Sequence, residues 1–145
     1  MNEPGTIQSI LENTKTIAVV GLSESAGRAS AGVARYLQGA GYRVVPVNPK
    51  VEGALGEKAY PTLDAAYEAL RAEGRSIDLV NVFRAPSFVP EIVKDVMRLK
   101  IPALWLQLGV CHEEAAGWAE HAGVQVVMDR CIMQDHAGWK NGAGR

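Results

Sequence analysis

The sequence predicts an α/β protein built on an open parallel sheet, and three observations carry that reading. Short apolar runs alternate with stretches of helical period along the 145 residues. The runs are rich in Val and Ile without strict polar alternation, as expected of strands covered on both faces. The turn after the first run is dense in small and hydroxylic residues and opens directly into a helical stretch. With 48% hydrophobic and 21% charged residues the chain belongs to the globular class, and its length suits one domain.

The elements follow in order. The first run, Thr16–Val20, precedes residues 30–40, where Val33, Tyr36, Leu37 and Ala40 share a helical face and Gly39 and Gly41 supply a stop. The second run, Arg43–Val47, leads to a helix over Leu63–Ala72 with Ala66, Tyr67 and Leu70 inward and Thr62 or Asp64 as its cap. A third run, 78–83, is followed by a helix over about 87–99, with Val89, Ile92, Val93, Val96 and Leu99 facing the sheet. The fourth, 103–108, precedes a helix over Glu113–His121, and the run 124–128 completes the set. Right-handed crossovers then give a Rossmann-like open parallel sheet of about five strands, expected in the order 3-2-1-4-5, with helices on both faces. A single domain is expected over 1–136, with a flexible glycine-rich tail over 137–145.

Composition narrows the function classes. Sixteen acidic residues against 15 basic ones leave a net charge of −1, so no global positive field exists to attract nucleic acid. Cys111 and Cys131 are too few for a disulfide framework and are expected as reduced thiols. No apolar stretch approaches the ~20 residues that span a bilayer, and the first residues lack the pattern of a signal peptide. A cytoplasmic protein is expected.

In an open parallel sheet, ligands bind beyond the carboxyl ends of the strands where the strand order reverses. After Val20 come Gly21-Leu22-Ser23-Glu24-Ser25-Ala26-Gly27-Arg28-Ala29-Ser30, a turn whose backbone N–H groups and helix N-terminus suit a phosphate. It is neither the dinucleotide fingerprint, since Ser23 and Ala26 replace glycines, nor a Walker A loop. The second run ends in Asn48-Pro49-Lys50, with no acid for the ribose hydroxyls of NAD; a lysine there suits a ribose phosphate, present in NADP and coenzyme A. Pro49 can lie against an adenine and Asn48 can hydrogen-bond. Arg84, after Val82-Phe83, can pair with a diphosphate or else with Glu91. Gln107 suits amide recognition, and Gly109 allows a ligand near the backbone.

Neither a metal site nor a nucleophile with its base is expected. His112, His121 and His136 form no ligand-spaced pair, and Asp129 reads as an ion-pair or helix-cap residue. Cys131, which follows Arg130, reads first as a structural cysteine, with a mixed disulfide to a ligand thiol as the alternative.

Five ordered segments carry a family resemblance: Ile17-Ala18-Val19-Val20-Gly21-Leu22-Ser23, Pro46-Val47-Asn48-Pro49, Val82-Phe83-Arg84, Trp105-Leu106-Gln107-Leu108-Gly109-Val110 and Val127-Met128-Asp129-Arg130-Cys131. Together they resemble the small stand-alone CoA-binding domain family, which is similar to the nucleotide-binding first domain of the succinyl-CoA synthetase alpha subunit. The resemblance implies a Rossmann-like binder of coenzyme A or a short acyl-CoA. It would put the loop from Gly21 to Ser30 at the diphosphate and Asn48-Pro49-Lys50 at the adenosine end. Val82, Phe83, Gln107 and Gly109 would then lie along the pantetheine arm. One departure is Ser25-Ala26-Gly27-Arg28, where the family usually shows a proline before the arginine. The synthetase's phosphohistidine and grasp domain have no counterpart, so ligase activity does not carry over. The expectation is non-catalytic binding, with a small NADP-dependent oxidoreductase or dinucleotide sensor as the alternative. A homodimer or a protein partner stays open.

Overall fold

Each of the five runs becomes a strand of one parallel sheet: β1 (Thr16–Val20), β2 (Arg43–Val47), β5 (Leu79–Val82), β6 (Ala103–Leu106) and β7 (Gln125–Met128). A computed structural model gives the fold of residues 1–25 and 28–142. A two-stranded hairpin, β3 (Gly53–Ala54) and β4 (Glu57–Lys58), is inserted after β2. Every residue of β1, β5 and β6 is buried, the physical reason that these runs lack polar alternation.

The sheet separates two apolar clusters, and strand parity decides which residue joins which. Ala18, Val20, Val80, Val82, Leu104 and Leu106 face α3 (Leu63–Ala72), α4 (Val89–Arg98) and α5 (Glu113–His121). Ile17, Val19, Leu79 and Trp105 face α1 (Pro4–Asn13), α2 (Ser30–Gly39) and α6 (Ile132–Gly142). Thr62 caps α3 by accepting from Ala65 N at 3.1 Å. Arg98 of α4 binds Asp64 of α3 through two contacts of 2.8 and 2.9 Å, holding that carboxyl below its usual range.

The order of the long strands is corrected to β2-β1-β5-β6-β7, or 2-1-3-4-5 in the order of the runs, rather than 3-2-1-4-5. The place beyond β2 is taken by Tyr60. Its N–H donates to Pro46 O at 3.0 Å and its carbonyl accepts from Asn48 N at 2.9 Å, an isolated parallel bridge to Val47. A bridge of one residue leaves no apolar run in the sequence to mark it. The third run instead returns to pair with β1 on its other side.

Helices α1 and α6 were not anticipated. Residues 137–142, expected as part of a loose tail, continue α6, and Trp139 packs against the α2 side of the core. Residues 143–145 lie outside the described residues. Buried His136 bonds Tyr36 Oη through Nδ1 at 2.8 Å and meets the rings of Tyr36, Tyr42 and Trp139 edge-on. Burial pushes the Tyr42 phenol up to about 12, and its hydroxyl donates to Leu11 O at 2.7 Å. At the opposite sheet edge Asn2 satisfies both main-chain groups of Met128, at 2.8 and 2.9 Å, which covers an edge strand open to pairing.

Candidate functional site

The register brings the strand ends level. Val20 pairs with Val47 and with Val82, Val82 with Leu106, and Leu106 with Met128. The loops that follow therefore form one edge, and β2 and β5 leave β1 on opposite sides, which opens a crevice above β1.

The loop after β1 begins at Gly21, with φ of +91°; a Cβ there would sit 3.0 Å from Arg84 Cδ and 3.2 Å from Phe83 O. Only glycine lets these two loops approach so closely. Leu22, Ser23 and Ser30 are buried, so their side chains build the loop rather than line its surface. Ser30 Oγ accepts from Ser23 N at 3.1 Å and donates to Ser23 O at 3.3 Å, while Ser23 Oγ accepts from Ser25 N at 3.1 Å. Arg28 N donates to Ser25 O at 3.2 Å. The amides of Ser23, Ser25 and Arg28 are thus used inside the loop. Those of the first turn of α2 have no intrahelical acceptor, and among the described residues the N-cap position, Ala29, supplies no side-chain cap. Ala26 and Gly27 lie outside the described residues.

Asn48 fastens the second loop to the first, its Nδ2 donating to Leu22 O at 3.1 Å and its Oδ1 accepting from Lys50 N at 2.9 Å. Lys50 is exposed. Pro49 and Arg84 line one cleft of about 160 Å³ with Val20, Val47, Pro61, Thr62, Leu63, Ile92 and Asp95, a largely apolar wall with the Arg84 cation and the Asp95 carboxylate, itself paired with Arg98 at 2.8 Å, at its edge. The Arg84 guanidinium lies 3.8 Å over the ring of Phe88, and Glu91, its alternative partner from the sequence, pairs with Lys94 at 3.4 Å. Arg28, Lys50 and Arg84 have no carboxylate partner among the described residues, whereas Arg130 on the same edge is held by Asp135 at 2.7 Å.

Toward β6 and β7 the sequence-predicted residues separate. Val82 is fully buried, its side chain packed in the core, and Phe83 packs partly buried on the other face. Gln107 is 6% exposed, and its Oε1 is engaged by Ile132 N at 3.3 Å and Asn81 Nδ2 at 3.4 Å. Gly109 is required for its φ of +87°, since a Cβ there would meet no atom within 4 Å. Its N–H donates to Asp129 Oδ1 at 2.7 Å. His112 Nδ1 accepts from Ala115 N at 3.1 Å, capping α5. Desolvation and the Asp129 carboxylate push the Cys111 thiol above its ordinary range.

Sequence reasoning missed two features of this edge. Glu24 Oε1 accepts from Leu55 N at 2.9 Å and so ties the loop to the hairpin. Asn81, fully buried on β5, keeps an Oδ1 without a hydrogen-bond partner among the described residues. A lone Asn inside the run 78–83 was the available signal. Among the described residues no cluster of three His, Cys, Asp or Glu is placed to hold a metal, and no helix is long and apolar enough to cross a membrane.

This crevice at the reversal of an open parallel sheet is the arrangement of a Rossmann-like ligand-binding domain. The family model described as CoA binding domain matches residues 15–137, and the chain belongs to that family. It is 39% identical over 131 residues to the uncharacterized protein YneT of Bacillus subtilis (strain 168), covering 90% of this chain and 92% of that protein. Among solved structures, a hypothetical protein from Pyrococcus horikoshii OT3 superposes with a TM-score of 0.81 at 34% identity, over 92% of this chain and 89% of that one. A Thermus thermophilus protein gives 0.80 at 36% identity, over 93% and 97%.

Proposed function

We propose that the protein binds coenzyme A or a short acyl-CoA along the carboxyl edge of the sheet and does not transform it. The observation that carries this reading, beside the family, is the trio of cations Arg28, Lys50 and Arg84, which lack carboxylate partners among the described residues around a crevice with an uncapped helix N-terminus. In this reading Arg28 and Arg84 take the diphosphate with the loop of Gly21, Leu22, Ser23, Ser25, Ala26, Gly27 and Ser30. Asn48, Pro49 and Lys50 take the adenosine and its ribose phosphate, with the adenine against the Pro49 and Pro61 wall. The arm runs past the main chain of Val82 and Phe83 toward Gln107 and Gly109. The absence of turnover is supported by the engagement of both candidate bases, His112 as a helix cap and Asp129 as the acceptor of Gly109 N.

Calorimetry with CoA, NADP and NAD tests the reading. CoA is expected to bind and NAD not to; NADP heat without CoA heat overturns the proposal in favour of an oxidoreductase or sensor. Arg28→Ala or Arg84→Ala is expected to weaken CoA by about tenfold or more, the scale of one charge-assisted contact. Dephospho-CoA is expected to bind more weakly than CoA, and Lys50→Ala to erase that difference.

A further inference from the structure

The ligand proposed above ends in a thiol, and the far end of the carboxyl edge holds a cysteine in a setting with an unanswered acceptor. Cys131 stands before α6, its carbonyl accepting the Asp135 N–H at 3.0 Å, and its side chain is partly buried against the Trp105 side of the core. The next amide, Ile132 N, is held by Gln107 Oε1, which also takes Asn81 Nδ2. That Nδ2 further donates to Trp105 O at 3.2 Å, which fixes the amide's orientation and leaves Oδ1 as the orphan. A buried amide oxygen without a donor is rare, and it marks a place where an N–H or O–H donor is wanted. The acceptor's amide is therefore linked through Gln107 Oε1 to the main chain of Ile132, the residue that follows Cys131.

The span is right for the arm. From β1 to β7 there are three interstrand steps, roughly 14 Å at ~4.8 Å each. The arm between diphosphate and sulfur has about twelve bonds, the bond count of four residues, which fully extended reach about 13–14 Å. It also carries two amide N–H groups, the donors that Asn81 Oδ1 lacks.

We propose that Cys131 is a thiol–disulfide exchange site for the disulfide form of the bound ligand; this rests on the CoA reading. Cys131 Sγ gives its proton to solvent and attacks one sulfur of a docked CoA disulfide. The Cys131–CoA S–S bond forms as the ligand's S–S bond breaks, and the second CoA leaves as a thiolate that takes up a proton. Cys131 is oxidised, the departing half is reduced, and no further oxidant enters. At Cys111 desolvation and the Asp129 carboxylate beside it disfavour the thiolate.

Intact-mass kinetics of the reduced protein with CoA disulfide, beside cystamine, a disulfide that keeps only the cysteamine ends of the ligand, test this. At about 10 µM reagent, docking to a millimolar effective concentration predicts about 100-fold faster modification by CoA disulfide. Desulfo-CoA, which has no thiol, is expected to suppress that advantage. Peptide mapping is expected to place the adduct on Cys131, with Cys111→Ser retaining it and Cys131→Ser losing it. If calorimetry shows CoA binding but CoA disulfide reacts no faster than cystamine, or modifies Cys111 instead, the exchange site is overturned and the binding proposal stands. If CoA neither binds nor accelerates modification, the binding reading itself fails.

Discussion

Gly21→Ala separates backbone strain from crowding at the heart of the crevice, because Gly109→Ala supplies its control. Both glycines have nearly the same positive φ, +91° and +87°, but a Cβ at 109 meets open space, whereas one at 21 meets Phe83 O at 3.2 Å, Phe83 C at 3.3 Å and Arg84 Cδ at 3.0 Å. The left-handed conformation costs an L-residue about 1–2 kcal/mol, offset in part by the stiffer unfolded chain, so Gly109→Ala is expected to cost about 1 kcal/mol. At position 21 the arginine side chain can swing away, but Phe83 cannot: its N–H is bonded to Val20 O at 2.9 Å. Overpacking against fixed backbone adds roughly 1–3 kcal/mol, for a total of about 2–4 kcal/mol. At ~2–4 °C per kcal/mol for a chain of this size, thermal unfolding followed by circular dichroism should show Tm falling by roughly 4–16 °C for Gly21→Ala and by 2–4 °C for Gly109→Ala. Displacement of Arg84 should also weaken CoA binding in Gly21→Ala. Equal losses of Tm in the two variants would refute the close approach of the two loops.

Two further outcomes follow from groups away from the crevice. Burial, with a smaller contribution from Lys140, lowers the His136 pKa below its ordinary value, so the folded protein prefers the neutral ring. The unfolded chain then binds the extra proton first: stability is intact above about pH 6.5 and declines as pH falls from there toward the folded pKa, by at most about 1.4 kcal/mol per pH unit from this group. Urea unfolding of wild type and His136→Phe between pH 7.5 and 5, on the order of one histidine titration either side of ~6.5, should show a steeper acid loss in the wild type; parallel curves would contradict the assignment. Helices α2, α3 and α5 are followed by Gly41, Gly74 and Gly123 at positive φ, whereas α4 is followed by Lys100 at φ +56°. Lys100→Gly relieves that residue and is expected to raise stability by about 0.5–1 kcal/mol, and a lowered Tm would show that the lysine is not strained.

The long strands were legible because burial on both faces writes itself into composition; β1, β5 and β6 contain almost no residue that tolerates water. The helices α2, α3, α4 and α5 were legible for the complementary reason, a polar face opposite an apolar one. What failed were elements that use unusual residues for ordinary tasks. In α6 the buried positions are Ile132 and His136, so a histidine among aromatic rings does what a leucine would signal plainly. Pro4 and Gly5 open α1, and only Ile10 and Leu11 at its end are buried, which leaves no periodic stripe to find. Strand order depended on Tyr60, whose one-residue bridge occupies a whole lane of the sheet.

The candidate site was legible in its charges more than in its hydrogen bonds. That Arg28, Lys50 and Arg84 follow strand ends can be read from spacing alone, and the sheet does bring the loops that carry them to one edge. Which loop amides remain for a ligand cannot be read so, because it depends on Ser30 reaching back seven residues to Ser23, and on Ser23 turning to Ser25. These bonds, with Asn48 on Leu22, Glu24 on Leu55 and Gly21 N on Val47 O at 2.8 Å, tie the first loop to the second strand and to the hairpin without any ligand. The described residues held in this way lose little freedom on binding, so in the proposed reading less of the cations' attraction goes into ordering them. Under the proposed function the serines serve affinity by fixing the loop, and the arginines and the lysine by meeting the anion. Replacing Ser30 removes the first contribution and leaves the second, whereas replacing Arg84 does the reverse.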